Sequence, residues 1–220
     1  MSSHDRGSAE RQRMVERQIR GRGLHDARVI AAFLSVPRHL FVPLAAREAA
    51  YDDTPLSIGS GQTISQPYIV ALMTASLALT GRERVLEVGT GSGYQAAILS
   101  KLAREVHSVE LLPALAYRAA RTLSRLRCGN VAVHVGDGSE GWLEAAPYAA
   151  IVVTAASPGV PGPLVNQLDN HGRLVLPVAR SNGYQLLTLI CKDGGSLTEQ
   201  VLASVAFVPL RGKFGITRDR

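Results

Sequence analysis

From residue 84 onward the chain alternates short apolar runs with segments that carry apolar residues at helical spacing. Residues 84–88, 105–109, 131–134 and 149–154 read as strands, with helices over 94–102 and 113–126 between them. That alternation predicts parallel strands joined by right-handed crossovers. Upstream, Val15 with Ile19, and Val29 and Ile30 with Phe33 and Leu34, mark helices over 10–22 and 26–35, punctuated by Gly23 and Pro37. Residues 37–61 carry prolines and turn residues such as Asp52, Asp53 and Gly59, and predict an irregular surface connection. Pro67 then opens an apolar helix ending near Leu79, with Gly81 just beyond. Past residue 154, segments 173–178, 185–192 and 200–209 are strand-like, and Asp193-Gly194-Gly195 supplies a hairpin turn between the last two. The expected fold is α/β: a mixed, mostly parallel sheet closed by at least one antiparallel C-terminal strand, with helices added at the N-terminus.

The length of 220 residues and 46% hydrophobic content suit one compact domain. Within it, residues 1–82 form a helical segment and a loop packed on a core of 83–220. No apolar run is long enough for a membrane span, and the Arg-rich start lacks the apolar segment of a secretory signal, so a cytoplasmic protein is expected. Cys128 and Cys191 stand apart, and the histidines (His4, His25, His39, His107, His134, His171) show no ligand spacing, so no metal is expected. The net charge of +6 would suit nucleic acid. The arginines, however, gather near the N-terminus and along Arg118, Arg121 and Arg125 with no aromatics interleaved for base stacking, which reads as a solvated helix face.

The sharpest chemical signal is VLEVGTGSG, residues 85–93, where an apolar strand breaks into Gly89, Gly91 and Gly93 and the acid Glu110 follows at the end of the next strand. Glycines allow a tight turn and close approach to a ligand, and an acid at that distance suits two ribose hydroxyls. The third glycine comes one residue earlier than a dinucleotide fingerprint requires, with Tyr94 in its place, which favours S-adenosylmethionine over NAD. In an open α/β sheet ligands lie outside the carboxyl ends of the strands. Gly136-Asp137-Gly138 and Thr154-Ala155-Ala156 fall there too, and Asp137 is a candidate acceptor for adenine amino hydrogens.

The segment IGSGQTISQPYIVALMT, residues 58–74, resembles the signature of the protein-L-isoaspartate (D-aspartate) O-methyltransferase family. The resemblance runs from VPRHLFVP through VLEVGTGSGYQ, HSVE, GDGSEGW, VTAA and LVLPV to FVPLRGKFG. It implies a class I S-adenosylmethionine-dependent methyltransferase (Rossmann-like) fold and methyl transfer to the free carboxylate of L-isoaspartyl residues in damaged proteins and peptides, initiating repair through a succinimide. It implies S-adenosylmethionine as cofactor, S-adenosylhomocysteine as product and no metal. By carry-over, Ser65 orients the attacking carboxylate, with Thr63 and the backbone around Gln62 and Ile64 completing the cradle. Gly89, Thr90, Gly91, Ser92 and Gly93 wrap the methionine portion, Glu110 binds the ribose, Asp137 with Gly138 reaches the adenine, and Thr154 and Ala155 border the substrate. Ser65 also reads as an N-cap for the helix entered at Pro67. Two further readings share parts of this pattern: an aspartyl O-methyltransferase acting on a dedicated peptide, and a nucleic-acid methyltransferase. The expected partners are isoaspartyl proteins and peptides, without a stable nucleic-acid partner or membrane, and a monomer is expected rather than an oligomer.

Overall fold

The computed structural model describes residues 7–181 and 183–216. Its centre is a seven-stranded sheet in the order β5-β4-β3-β6-β7-β8-β9. The strands are β3 (Arg84–Val88), β4 (Glu105–Glu110), β5 (Val131–Val135), β6 (Tyr148–Val153), β7 (Leu168–Ala179), β8 (Gln185–Asp193) and β9 (Ser196–Val205). β3 to β7 run parallel, whereas β8 is antiparallel to β7 and β9 to β8. The chain winds outward from β3 to β5, then returns to place β6 on the other side of β3. This reversal puts the switch point between β3 and β6, where an α/β sheet opens a crevice at its carboxyl end.

Both faces of the sheet are buried along its central strands, and the two-residue period sorts the side chains. Val85, Ala150, Val152, Val175 and Leu189 pack with Ile69 and Met73 of α3 (Pro67–Ser76). Leu86, Val88, Ile151, Val153, Leu174 and Ile190 pack on the opposite face with Leu164 of α6 (Gly162–Gln167). A third apolar cluster joins α1 (Ser8–Met14) and α2 (Ala27–Ser35) to α4 (Tyr94–Leu99) and to Leu115 and Leu123 of α5 (Pro113–Arg125). The N-terminal helices therefore share one hydrophobic interior with the sheet's covering layer. Asp26 caps α2 by accepting the amides of Arg28 and Val29 at 2.8 and 3.0 Å.

Several boundaries differ from the sequence expectation. The first helix is α-helical only to Met14, followed by a π-helical turn, Val15–Ile19, and a 3-10 turn, Arg20–Arg22. The stretch read as irregular holds a small antiparallel hairpin, β1 (Leu56–Gly59) with β2 (Gln62–Ile64), whose Gly59, Ser60 and Gly61 all have positive φ. α3 ends at Ser76 and α4 at Leu99, both short of the expected ends. The last strand begins at Ser196 rather than residue 200 and ends at Val205, because Gly194 and Gly195 turn the chain tightly and pairing resumes at once, Asp193 against Ser196. Residues 206–209 have left the regular sheet, and Pro209 forms an isolated bridge with Ala156.

Candidate active site

A cleft of about 910 Å³, open to solvent, lies over the carboxyl ends of β3, β4 and β6. Gln62, Thr63, Ile64, Ser65, Gly89, Thr90, Gly91, Ser92, Glu110, Gly138, Thr154 and Ala155 all line it, which gathers segments far apart in the chain.

The glycine loop is set by contacts on both sides. Gly89 donates its amide to Val109 O at 2.8 Å and has φ 93°, while Thr154 Oγ1 donates to Gly89 O at 2.6 Å. A Cβ at Gly89 would collide with Thr154 Oγ1, so only glycine fits between β3 and β6 there. Gly93 does not line the cleft. It caps α4 in a left-handed conformation, where an added Cβ would press on Ala119 of α5 at 3.2 Å, so it serves helix packing rather than ligand contact. Glu110 is buried; its Oε2 accepts from Gly91 N–H at 2.8 Å and its Oε1 from Leu112 N–H at 2.9 Å.

Asp137 is also absent from the cleft lining. Its Oδ1 accepts from the amide and hydroxyl of Ser139 at 2.9 and 2.7 Å, and its Oδ2 from the amide of Lys213 at 2.7 Å. The carboxylate that the sequence offered to an adenine is thus engaged in tying the C-terminal segment to this loop. Gly138 remains in the wall, where a Cβ would collide with Val88. Nor does Ser65 cap α3: the N-cap is Gln66, without a side-chain capping bond.

The structure adds residues the sequence did not mark. Glu87 sits fully buried in the cleft floor, its Oε2 accepting from Ser108 Oγ, which lies 2.5 Å from Thr90 Oγ1. Its Oε1 has no partner. Burial, reinforced by the nearby Glu110 charge, raises Glu87 to about 8, so its carboxyl is neutral at pH 7. A carboxyl inside the apolar run VLEV was the available signal. Arg38, also fully buried, donates Nη2 to Ser65 O at 2.7 Å.

A second cleft, of about 900 Å³, adjoins the first and shares Thr63, Ser65, Thr154 and Val208 with it. Residues 203–208 form one side. Arg22 lies on the other, its Cζ 3.4 Å from the Tyr68 ring centroid and its Nη1 donating to Asp53 Oδ2 at 3.0 Å. Among the described residues no cluster of His, Cys, Asp or Glu is arranged to hold a metal, and no helix is long and apolar enough to cross a membrane.

Known proteins share this arrangement. A protein-L-isoaspartate O-methyltransferase of Methanoculleus marisnigri is 54% identical over 206 residues, covering 94% of this chain and 93% of that protein. One from Syntrophobacter fumaroxidans is 53% identical over 205 residues, covering 93% and 95%. A solved protein-L-isoaspartate O-methyltransferase superposes with a TM-score of 0.84 at 31% identity, over 93% of this chain and 67% of its own. A Plasmodium falciparum structure, described as a β-aspartate methyltransferase in complex with S-adenosyl-L-homocysteine, gives 0.79 at 25% identity over 93% and 97%. Fold and site thus define a class I, Rossmann-like S-adenosylmethionine-dependent methyltransferase. Residues 9–215 match the family described as protein-L-isoaspartate(D-aspartate) O-methyltransferase, and the chain belongs to it. It is an S-adenosylmethionine-dependent protein carboxyl O-methyltransferase.

Proposed function

We propose that this chain methylates the free α-carboxylate of L-isoaspartyl residues in damaged proteins and peptides, forming an ester that closes to a succinimide and so starts repair. The observation that carries this reading is the position of Ser65, with Thr63 and Thr154, on the wall common to two clefts. One cleft has the glycine loop and buried acid of a nucleoside site. The other runs beside residues 203–208, at the end of β9 and just past it, with Arg22 and Tyr68 also in its lining, and would take a peptide.

The first cleft fits S-adenosylmethionine, which when bound supplies an electrophilic sulfonium methyl. Gly89, Thr90, Gly91 and Ser92 bring backbone close to its methionine portion. Each Glu110 oxygen accepts one amide and keeps a lone pair for a ribose hydroxyl. Gly138 packs too closely on Val88 to carry a Cβ, and it stands in the wall of the cleft where the base would lie. In this reading Asp137 acts on the adenine only through Gly138, by fixing its loop. Gln62, Thr63 and Ile64 close the cofactor side.

A carboxylate ionises at about pH 4 and needs no general base at neutral pH, which suits a site organised around a serine rather than a Ser-His-Asp set. The Ser65 hydroxyl orients the attacking oxygen, and Thr63, Thr154 and Ala155 border it. Opposite charges neutralise as the new bond forms, so apolar walls such as Val88 and Val109 favour the transition state over separated ions, provided the reactants are aligned.

The test is incubation with methyl-labelled S-adenosylmethionine and matched peptides carrying L-isoaspartate, L-aspartate or D-aspartate at one site, measuring base-labile methanol. Labelling mainly of the isoaspartyl peptide is expected. Preference for the aspartyl peptide would replace repair with modification of a dedicated peptide. Labelling of none, with cofactor bound, would overturn the proposal and turn attention to salt-dependent nucleic-acid binding.

A further inference from the structure

Arg38 opens the 3-10 turn Arg38–Phe41 and has no exposed surface. Its Nε donates to Ala50 O at 2.8 Å and its Nη2 to Ser65 O at 2.7 Å, and its Cζ stands 4.9 Å from the Tyr94 ring centroid. The buried Tyr94 hydroxyl stands beside the guanidinium, and among the described residues no carboxylate forms an ion pair with Arg38, the Asp53 charge acting on it only from beyond ion-pair distance. Burial lowers its pKa to about 10, which leaves the side chain charged at neutral pH.

A buried cation without an ion-paired carboxylate is costly, and packing alone would be served by a neutral side chain. The charge lies directly behind the peptide carbonyl of Ser65, on the wall the two clefts share. On the reading above, the group that arrives there is an anion.

We propose that Arg38 is a positioning residue for the substrate carboxylate: it fixes the Ser65 peptide, and its buried charge finds its counter-ion in the carboxylate that Ser65 orients. The attraction is matched to the reaction. It holds the anion, and it lapses when methylation turns that anion into a neutral ester, which favours release. Because it acts on the bound carboxylate more than on the partly neutralised transition state, its loss is felt in KM more than in kcat. Lysine is a poor replacement, since one ammonium does not reproduce two guanidinium bonds aimed at separate carbonyls.

The test uses the full chain loaded with S-adenosylhomocysteine, which prevents turnover. Calorimetry compares an isoaspartyl peptide with the same peptide bearing a carboxamide in place of the free carboxylate. Wild type is expected to prefer the carboxylate by about tenfold or more. Arg38→Met should lose most of that preference while S-adenosylhomocysteine affinity, the check of folding, is unchanged. Arg38→Lys should keep the preference while binding both peptides less well. A folded Arg38→Met that weakens both peptides equally overturns the proposal, because that is the signature of a purely structural role. If Arg38→Met does not fold, the salt dependence of the wild-type preference decides. A charge sealed from solvent is screened little, so the preference should survive high salt. One that vanishes in salt belongs to exposed cations such as Arg22 or Arg211 and overturns the proposal. A wild type that methylates no isoaspartyl peptide removes the proposed function, whereas one that methylates it yet binds both peptides equally removes only the role of Arg38.

Discussion

Glu110 Oε2 accepts the backbone amide of Gly91 at 2.8 Å, so the acid ending β4 and the glycine loop following β3 form one unit. The acid's second oxygen holds Leu112 N–H at 2.9 Å at the entry to α5. Two loops that sequence presents as separate signals are thereby locked in a single geometry before any ligand arrives.

Replacing Glu110 with alanine leaves both amides without their acceptor and removes the carboxylate proposed to bind the ribose. Hydrogen bonds to a charged group contribute about 1.5–3 kcal/mol each, so S-adenosylhomocysteine affinity is expected to fall by about tenfold or more. Titration calorimetry measures this directly, and an unchanged affinity would remove Glu110 from the cofactor site.

Ser65→Ala separates orientation from cofactor binding. Loss of one hydrogen bond to a carboxylate should lower kcat/KM by about 10- to 100-fold, with S-adenosylhomocysteine binding changed by no more than about twofold. Steady-state kinetics with an isoaspartyl peptide is the measurement; turnover at the wild-type rate would refute the role.

Glu87 predicts a pH dependence of stability. Its folded pKa, raised to about 8 by burial and then by Glu110, exceeds that of the unfolded chain. The folded state therefore holds the extra proton, and this contribution is complete below the unfolded value near 4.5 and lost as pH rises through about 8. Glu87→Gln keeps the shape and the neutral state, so its urea midpoint should fall less than that of wild type between pH 5 and 9. Parallel curves would show that the carboxyl does not titrate as described.

His134 has the opposite dependence. Its ring stacks on Trp142 with centroids 4.0 Å apart and meets His107 Nδ1 at 3.0 Å. Burial first, and the neighbouring His107 next, hold it below its usual value. The unfolded chain takes up the proton first, so the contribution is intact above about pH 6.5 and is lost as pH falls through the lower folded value. His134→Phe keeps an aromatic stack without the proton, and its denaturation midpoint should change less than that of wild type between pH 7.5 and 5.5. An equal change in both proteins would count against it.

The parts legible in the sequence are those where physics leaves a periodic or compositional mark. The parallel strands carry apolar side chains toward both faces, and the chain must turn at Gly89 where a side chain would strike Thr154. The start of β9 is harder to place because residues 196–201 are exposed, Leu197 and Val201 included, and an edge strand with little core to face has no buried apolar row to mark it. The β1–β2 hairpin is three to four residues per strand, too short to register beside the prolines around it. The partners of Arg38, which the sequence does not mark, and of Asp137, which it offers to an adenine, are illegible for a shared reason. The two surroundings are assembled from distant segments, Ser65 in one case and Lys213 in the other, and no local pattern announces such partners.

The clasp between Asp137 and Lys213 has a consequence for when the protein becomes competent. Residues 208–211 wall the cofactor cleft, held by Leu210 N–H on Ala156 O at 2.7 Å and by Lys213 N–H on Asp137, while Gln62 to Ser65 wall it from the other side. Contacts this distant in sequence close late in folding. The glycine loop alone does not make the cleft, which also needs the clasped segment 208–211 from far along the chain. Once the clasp is made, a ligand bound between both walls stabilises them together by mass action.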